Sequence, residues 1–381
     1  MSEHLGELLE LLYGARNRFR TARGVVVSRH SMRLTTEGMR RERRRQRRFG
    51  GGSMVQFAFA TSESDEPAPD IHEEHTRFWW EPPDRLREES ERQTRVVDGE
   101  LWWVSMPDLG AISNAGLDED ARAEHRTGGG EEFRLLLDPS GMIGLLDFDR
   151  IDDEGDVFRV GARLRDDTED SAFHLRVHFA PGADRIELVV DRRRGVLLRR
   201  ASYLDDEEMS SVELGEIAFD EDFPSETFVF VPPSGVEVRS PEDAHRRYTL
   251  EEAIAEAPFT VFLLGEAPAG FGDPHVSYHD HRSFGGPLLA LFYHRTRRGS
   301  LILTQTSAGR KLGWPGVEPK LDEVERDGVV YTTCASDPEL GTPAAVGVER
   351  DGTAVRLQSD VLGIDELLEL ASGLAATPAA S

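Results

Sequence analysis

The sequence predicts a β-rich α+β protein of two domains, each built on antiparallel sheet. Three observations carry this. The chain has 381 residues, more than one hydrophobic core usually serves. Short apolar runs of strand length recur along most of it. Asp98-Gly99, Asp327-Gly328 and Asp351-Gly352 stand between such runs, and Asp-Gly favours the positive φ of tight hairpins.

The elements follow in chain order. Leu5, Leu8, Leu9 and Leu12 recur at helical spacing among Glu3, Glu7 and Glu10, so an amphipathic helix is expected to about Phe19. Residues 24–27 read as a strand and residues 35–48 as a basic helix or tail. Residues 65–70 form an acidic, proline-bearing loop. Strands are expected at 76–80, 85–89, 94–97 and 101–104. From Phe133 to Leu146 the pattern changes, and Asp138-Pro139-Ser140 suggests a short helix or helix pair. Strands resume at 157–164, 173–179, 185–190, 196–203 and 212–219. The last carries Val212, Leu214, Glu216 and Ala218 on one face and a mixed set, Glu213, Ile217 and Phe219, on the other. Pro232-Pro233 ends the run, because proline donates nothing to a ladder. Thr249 and Glu252 form a capping box. Further strands are expected at 288–293, 301–306, 329–334, 345–349 and 354–357, then a closing helix at 364–370. The expected domains are residues 1–238 and 239–375, with a disordered tail at 376–381.

Composition narrows the function classes. Hydrophobic residues make up 38%, and no apolar run approaches the roughly 18 residues of a membrane span. The net charge of −26 argues against general nucleic-acid binding. Residues 1–50 run against this trend, with 13 Arg and 5 acidic residues. Seven of those arginines lie from Arg40 to Arg48. The run is either a contact for an anionic membrane surface or a solvated helix face. No aromatic residue interleaves with it, so base stacking is not indicated. Lys311 and Lys320 are the only lysines, which makes Arg the default cation here. The opening residues read as a helix and not as a signal peptide, so the expected location is the cytoplasm. Cys334 is the only cysteine and sits in an apolar strand, where a buried thiol is expected.

Residues from about 1 to 238 resemble the lipoprotein-carrier superfamily, which includes outer-membrane lipoprotein carriers and periplasmic sigma-E regulatory proteins. Two segments carry the resemblance. One runs from Asp191 through Gly195-Val196-Leu197-Leu198-Arg199 to Tyr203. The other is Ile217-Ala218-Phe219-Asp220, Phe223-Pro224 and then Phe228-Val229-Phe230-Val231-Pro232-Pro233-Ser234-Gly235-Val236. The resemblance implies a curved antiparallel half-barrel with helices plugging its hollow, where acyl chains or partner peptides bind. Residues 249–375 resemble a small uncharacterised bacterial domain found behind this module, to which no activity attaches.

The candidate site follows from that hollow. Trp79, Trp80, Trp102 and Trp103 lie on two strands, and one of each pair must face inward. Trp79 and Trp102 are taken as the inward pair, with Phe133, Leu136, Met142, Ile143 and Leu146 as the plug. These residues either line a ligand hollow or fill an ordinary core. His275, His279 and His281, near Asp273 and Asp280, are the best metal candidates, against surface histidines as the plainer reading. His174 and His178 share one expected strand face without a third ligand. No hydrolase elbow, P-loop, zincin helix or dinucleotide fingerprint appears. The sequence therefore reads as a non-enzymatic binding protein without cofactor. Its ligand is an acyl chain or other apolar molecule in the first domain. The alternative is a regulatory module whose hollow is filled by its own side chains and which binds a protein partner.

Overall fold

A computed structural model describes residues 2–48, 70–107, 110–124, 131–165, 179–244, 246–279, 286–295, 299–310, 312–314, 319–339 and 341–377. The chain divides into two compact units, Met1–Glu42 with Pro69–Ala244, and Arg43–Ala68 with His245–Ser381.

The first unit is built on one open sheet of twelve strands. In chain order they are β1 (Ala22–Ser31), β2 (Ile71–Glu81), β3 (Arg85–Glu89), β4 (Thr94–Asp98), β5 (Leu101–Met106), β6 (Gly110–Ser113), β7 (Leu146–Asp153), β8 (Val157–Leu164), β9 (Arg185–Asp191), β10 (Leu197–Leu204), β11 (Glu207–Phe219) and β12 (Val238–Arg239). Their order across the sheet is β12-β6-β5-β4-β3-β2-β1-β11-β10-β9-β8-β7. Every pairing is antiparallel except that of β12 with β6. Hairpins build each half, and β1 with β11 joins the halves through the largest sequence separation. The ends do not meet, so the sheet is not a barrel.

Bulges bend this sheet, as an extra residue in one strand must. One lies where Arg23 pairs with Ala218 but Val25 with Gly215, and Glu216 there has φ 50°. That bulge explains the mixed alternation of 212–219. Val212 and Leu214 point to the core, the phase flips, and Ile217 and Phe219 then join the same core. The free edge at β7 carries exposed Asp147, Asp149, Asp152 and Asp153, and such charges discourage further strand pairing.

One face of the sheet is covered by helices: α1 (Ser2–Gly14), α4 (Glu131–Leu137) and α5 (Ser140–Ile143), where α2 (Met32–Arg48) and α3 (Glu119–Glu124) come between in the chain. Of the predicted leucine stripe Leu8 and Leu12 are buried, Leu5 and Leu9 are half-buried, and Leu11, outside the predicted set, is buried beside them. The β9–β10 turn fits under α1 because Gly195 has φ 73° and no side chain. A methyl group there would overlap the Leu11 carbonyl. The basic segment is helical. Leu34 of α2 packs with Leu204, Met209 and Ala180 in a small separate core.

The second unit holds a seven-stranded antiparallel sheet and a two-stranded ribbon. Helix α6 (Pro241–Ala244) ends the first unit. After α7 (Leu250–Glu256), the strands of the second are β13 (Val261–Leu263), β14 (His275–His279), β15 (Leu288–His294), β16 (Ser300–Ser307), β17 (Leu321–Arg326), β18 (Val329–Cys334), β19 (Ala344–Arg350), β20 (Thr353–Ser359) and β21 (Ala375–Thr377). The sheet order is β14-β15-β16-β20-β19-β18-β17, and β13 pairs with β21. Helix α8 (Ile364–Ser372) buries Leu367, Leu368 and Ala371 against one sheet face. Thr249 caps α7 in the expected box, accepting from Glu252 N. The expected tail is corrected at its start, since Ala376 and Thr377 belong to β21, and Thr377 Oγ1 donates to Val261 O at 2.7 Å. Residues 378–381 lie outside the described residues.

Replacing Gly195 with Ala should lower stability by at least about 1 kcal/mol, from positive φ and from displacement of α1. A urea midpoint unchanged from the parent chain would contradict that account.

Candidate functional site

The site begins with a row of side chains running straight across six strands. Phe219, Ala22, Trp80, Leu86, Val97 and Trp102 are successive cross-strand partners on β11, β1, β2, β3, β4 and β5. All point to the face that carries the helices. Facing side chains on adjacent strands sit about 5 Å apart, so the row forms a continuous apolar floor. Phe19 closes one end, with ring centroids 5.8 Å from Trp80 and 5.2 Å from Phe219.

Trp80, and not Trp79, therefore lies on the inner face. The expected pair Trp79 and Trp102 is corrected to Trp80 and Trp102. Alternation within each strand fixes only that one tryptophan of a pair faces in. Which one shares a face with Trp102 depends on the register through two intervening strands. Trp79 instead belongs to the outer row with Arg87, Val96 and Trp103. That row is covered by the segment after β11. Phe230 stacks on Trp103 at 6.2 Å, and Arg87 Nη1 donates to the carbonyls of Thr227 and Val229 at 3.2 and 3.3 Å.

Trp102 is held from its backbone as well as by packing. Beyond the end of β6, Asn114 Oδ1 accepts from Trp102 N at 2.8 Å, and Asn114 Nδ2 donates to Glu100 O at 2.8 Å. Ser113 Oγ donates to Trp102 O at 2.7 Å. Two side chains thus continue the ladder where strand pairing stops.

The plug residues converge on this floor. Phe133, Leu136, Ile143 and Leu146 are 2, 1, 5 and 4% exposed and share one core with Phe78, Trp80 and Leu86. Phe133 stacks on Phe78 at 4.8 Å and meets Trp80 edge-on at 6.0 Å. Met142 is buried among them. The inner floor is thus in contact with the chain's own side chains.

Beside the apolar row lies an ion pair that the sequence reading missed. Glu88 and Arg95 face each other on β3 and β4, 6 and 5% exposed, with Arg95 Nη1 3.8 Å from Glu88 Oε2. Their positions, two residues from Leu86 and Val97 in inward-facing rows, were the available signal. The outer face of β8–β11 carries charged pairs. Arg159 bridges Glu154 and Glu187, and the Glu154 hydrogen bond raises the Arg159 pKa. The apolar floor of this sheet is therefore its inner face.

The remaining candidates do not assemble. His275 and His279 lie at opposite ends of β14, roughly 13 Å apart at strand rise, too far to share one ion. His279 Nε2 is 2.8 Å from Ser277 Oγ. His281, His174 and His178 lie outside the described residues. Among the described residues no group of three or more His, Cys, Asp or Glu could hold a metal. Cys334 is buried in β18, and burial pushes its thiol pKa up, away from nucleophilic readiness. In the basic run, Arg40 lies 3.8 Å from Glu37, and Arg41 pairs with Asp205 and Glu37. The side chains of Arg43, Arg45, Arg47 and Arg48 lie outside the described set. No described helix is long and apolar enough to cross a membrane.

No family model and no curated protein matches the chain. Among solved structures it is similar to MucB from Pseudomonas aeruginosa, solved in complex with MucA, at 13% identity and a TM-score of 0.29, covering 100% of this chain and 99% of that one. It is similar to an uncharacterized conserved protein from Thermus thermophilus at 9% identity and TM-score 0.32, covering 62% and 99%. A LolA superfamily protein from Nitrosomonas europaea matches at 9% identity and TM-score 0.23, covering 60% and 97%. Likenesses this distant carry no functional argument.

Phe133→Ala should cost about 3–5 kcal/mol, as emptying an aromatic site in a packed core usually does. Removing Arg95 alone should cost a similar amount by taking this counter-charge from buried Glu88, whereas Glu88→Leu with Arg95→Met should cost clearly less. Denaturant unfolding of the three variants checks both statements. Equal losses for the single and double changes at the ion pair would refute the second.

Proposed function

We propose that the chain is a non-enzymatic binding protein whose target is a protein partner, with the inner hollow of the first unit filled by its own side chains. The observation that carries this is the burial of Phe133, Leu136, Leu137, Met142, Ile143 and Leu146 in one core with Phe78, Trp80 and Leu86. An acyl chain would have to displace them. Exposing these plug side chains costs about 1.5–3 kcal/mol each, roughly 9–18 kcal/mol together. An acyl chain of about 16 carbons gains about 0.8 kcal/mol per CH₂, or ~13 kcal/mol. The exchange has no clear net drive, so the hollow stays filled by its own side chains.

The surface assigned to the partner is the segment stapled across Trp103. Val229 has extended backbone geometry, and Val229 and Val231 point outward, 53 and 77% exposed, while Phe230 between them packs inward. An extended peptide with apolar side chains suits such an alternating strip.

Native mass spectrometry with denaturing lipid extraction tests the reading. The bare chain mass is expected, with no uptake of added palmitate. A co-purifying lipid, lost on replacing Trp80 and Trp102 with polar residues, would return the hollow to an acyl ligand. A double change of Val229 and Val231 to Glu should alter stability by no more than about 0.5 kcal/mol per site. It should also abolish capture by a photo-crosslinker placed at Thr227, while a crosslinker at Asp149 captures nothing in either chain.

A further inference from the structure

Beyond Phe78 the inner face of the twelve-stranded sheet turns polar. On β1 the inward positions after Val26 are Ser28 and His30, and on β2 those before Phe78 are Thr76, Glu74 and His72. Alternation places all five on the face that carries Ala22 and Trp80. His30 and His72 are direct cross-strand partners. Their ring centroids lie 5.0 Å apart, with the planes inclined by 51°. Both residues are half-buried, so solvent reaches the pair without any cavity. His75 on β2 points to the other face, where its Nε2 lies 2.7 Å from Glu73 Oε1.

That separation suits two imidazoles sharing one metal ion. Zinc takes an imidazole nitrogen at about 2.0–2.1 Å, which sets it about 3.2 Å from the ring centre, so two rings at the tetrahedral angle stand about 5.2 Å apart. Paired strands hold facing Cβ atoms about 4.5–5.5 Å apart, so the backbone brings the two ligands together before any ion arrives. No third His, Cys, Asp or Glu joins them among the described residues. Water supplies the other positions, which makes the site weak and open rather than structural.

Arg92, exposed between β3 and β4, donates from Nη2 to His72 Nε2. A guanidinium can only donate, so Nε2 of His72 offers it a lone pair, which is what a metal ion also takes. His30 has a further interaction of its own, and a ligating imidazole is normally held through its second nitrogen. Glu74 on the same face and the net charge of −26 favour a cation. We propose that His30 and His72 form a solvent-open site for a divalent transition cation such as zinc, which takes His72 Nε2 in place of Arg92. The ion would tie β1 to β2 at the end of β2 away from Trp80. The site stands independently of the partner surface proposed above.

The test titrates Zn²⁺ into the full chain by calorimetry in a non-chelating buffer. His30→Ala, His72→Ala, Arg92→Ala and His75→Ala stand beside the parent. The parent should bind Zn²⁺, and each of the first two variants should lose that binding or weaken it at least about tenfold. Arg92→Ala should tighten it about threefold, because a competitor and a nearby positive charge are gone. His75→Ala removes an imidazole from the opposite face and should leave it unchanged. If a histidine variant does not fold, Arg92→Ala carries the result, since that side chain is exposed. A parent that takes up no Zn²⁺ overturns the proposal, as does uptake undiminished in His30→Ala and His72→Ala. Binding in Arg92→Ala that is unchanged or weaker overturns it as well. A loss in His75→Ala equal to that in His72→Ala overturns it in favour of chelation by scattered surface histidines only.

Discussion

An open sheet with one apolar face must find something to cover it, and most of the first unit answers that demand. The row from Phe219 to Trp102 spans six strands. Burying it requires matter from outside the sheet, because the sheet does not close on itself. Helices α1, α4 and α5 supply it for the stretch from Phe219 to Val97. Helices of seven and four residues have little stability alone, since nucleation is costly and few bonds follow. They exist because Phe133, Leu136, Met142 and Ile143 gain a floor to pack on. Floor and plug are therefore one cooperative object.

The same constraint decides where binding can happen. A face already in van der Waals contact with its own plug offers a ligand no free energy until the plug leaves. The outer face is split between a charged field around Arg159, Glu187 and Arg199 and a stretch covered by the segment after β11. That segment turns Phe228 and Phe230 inward and leaves Val229 and Val231 outside. Its outward valines are apolar side chains that folding of this part of the unit leaves uncovered.

The second unit solves a similar problem by another route. Its sheet uses a glutamine, Gln305, as a substitute strand, giving the backbone of Phe262 the donor and acceptor it would find in a ladder. A side-chain amide can do this because its geometry copies the peptide group. Gln358 has the same amide at the same depth on the other face and finds no such peptide among the described residues.

Much of the fold was legible in the sequence. Leucine spacing marked α1, alternation and Asp-Gly turns marked the hairpins, and Thr249 with Glu252 marked the start of α7, because each signal is local and period-bound. The convergence of Phe133, Leu136, Ile143 and Leu146 followed from their break in the strand pattern. What the sequence could not decide was phase between distant strands. Trp79 and Trp80 are equivalent to a reader of alternation. Only the register of β2 through β5 sets Trp80 beside Trp102, and a shift of one residue would reverse the choice. The bulge at Glu216, the pairing of Glu88 with Arg95, and the meeting of His30 with His72 are likewise products of cross-strand register. Local chemistry determined which residues form strands and helices, and tertiary pairing alone decided which of them share a face.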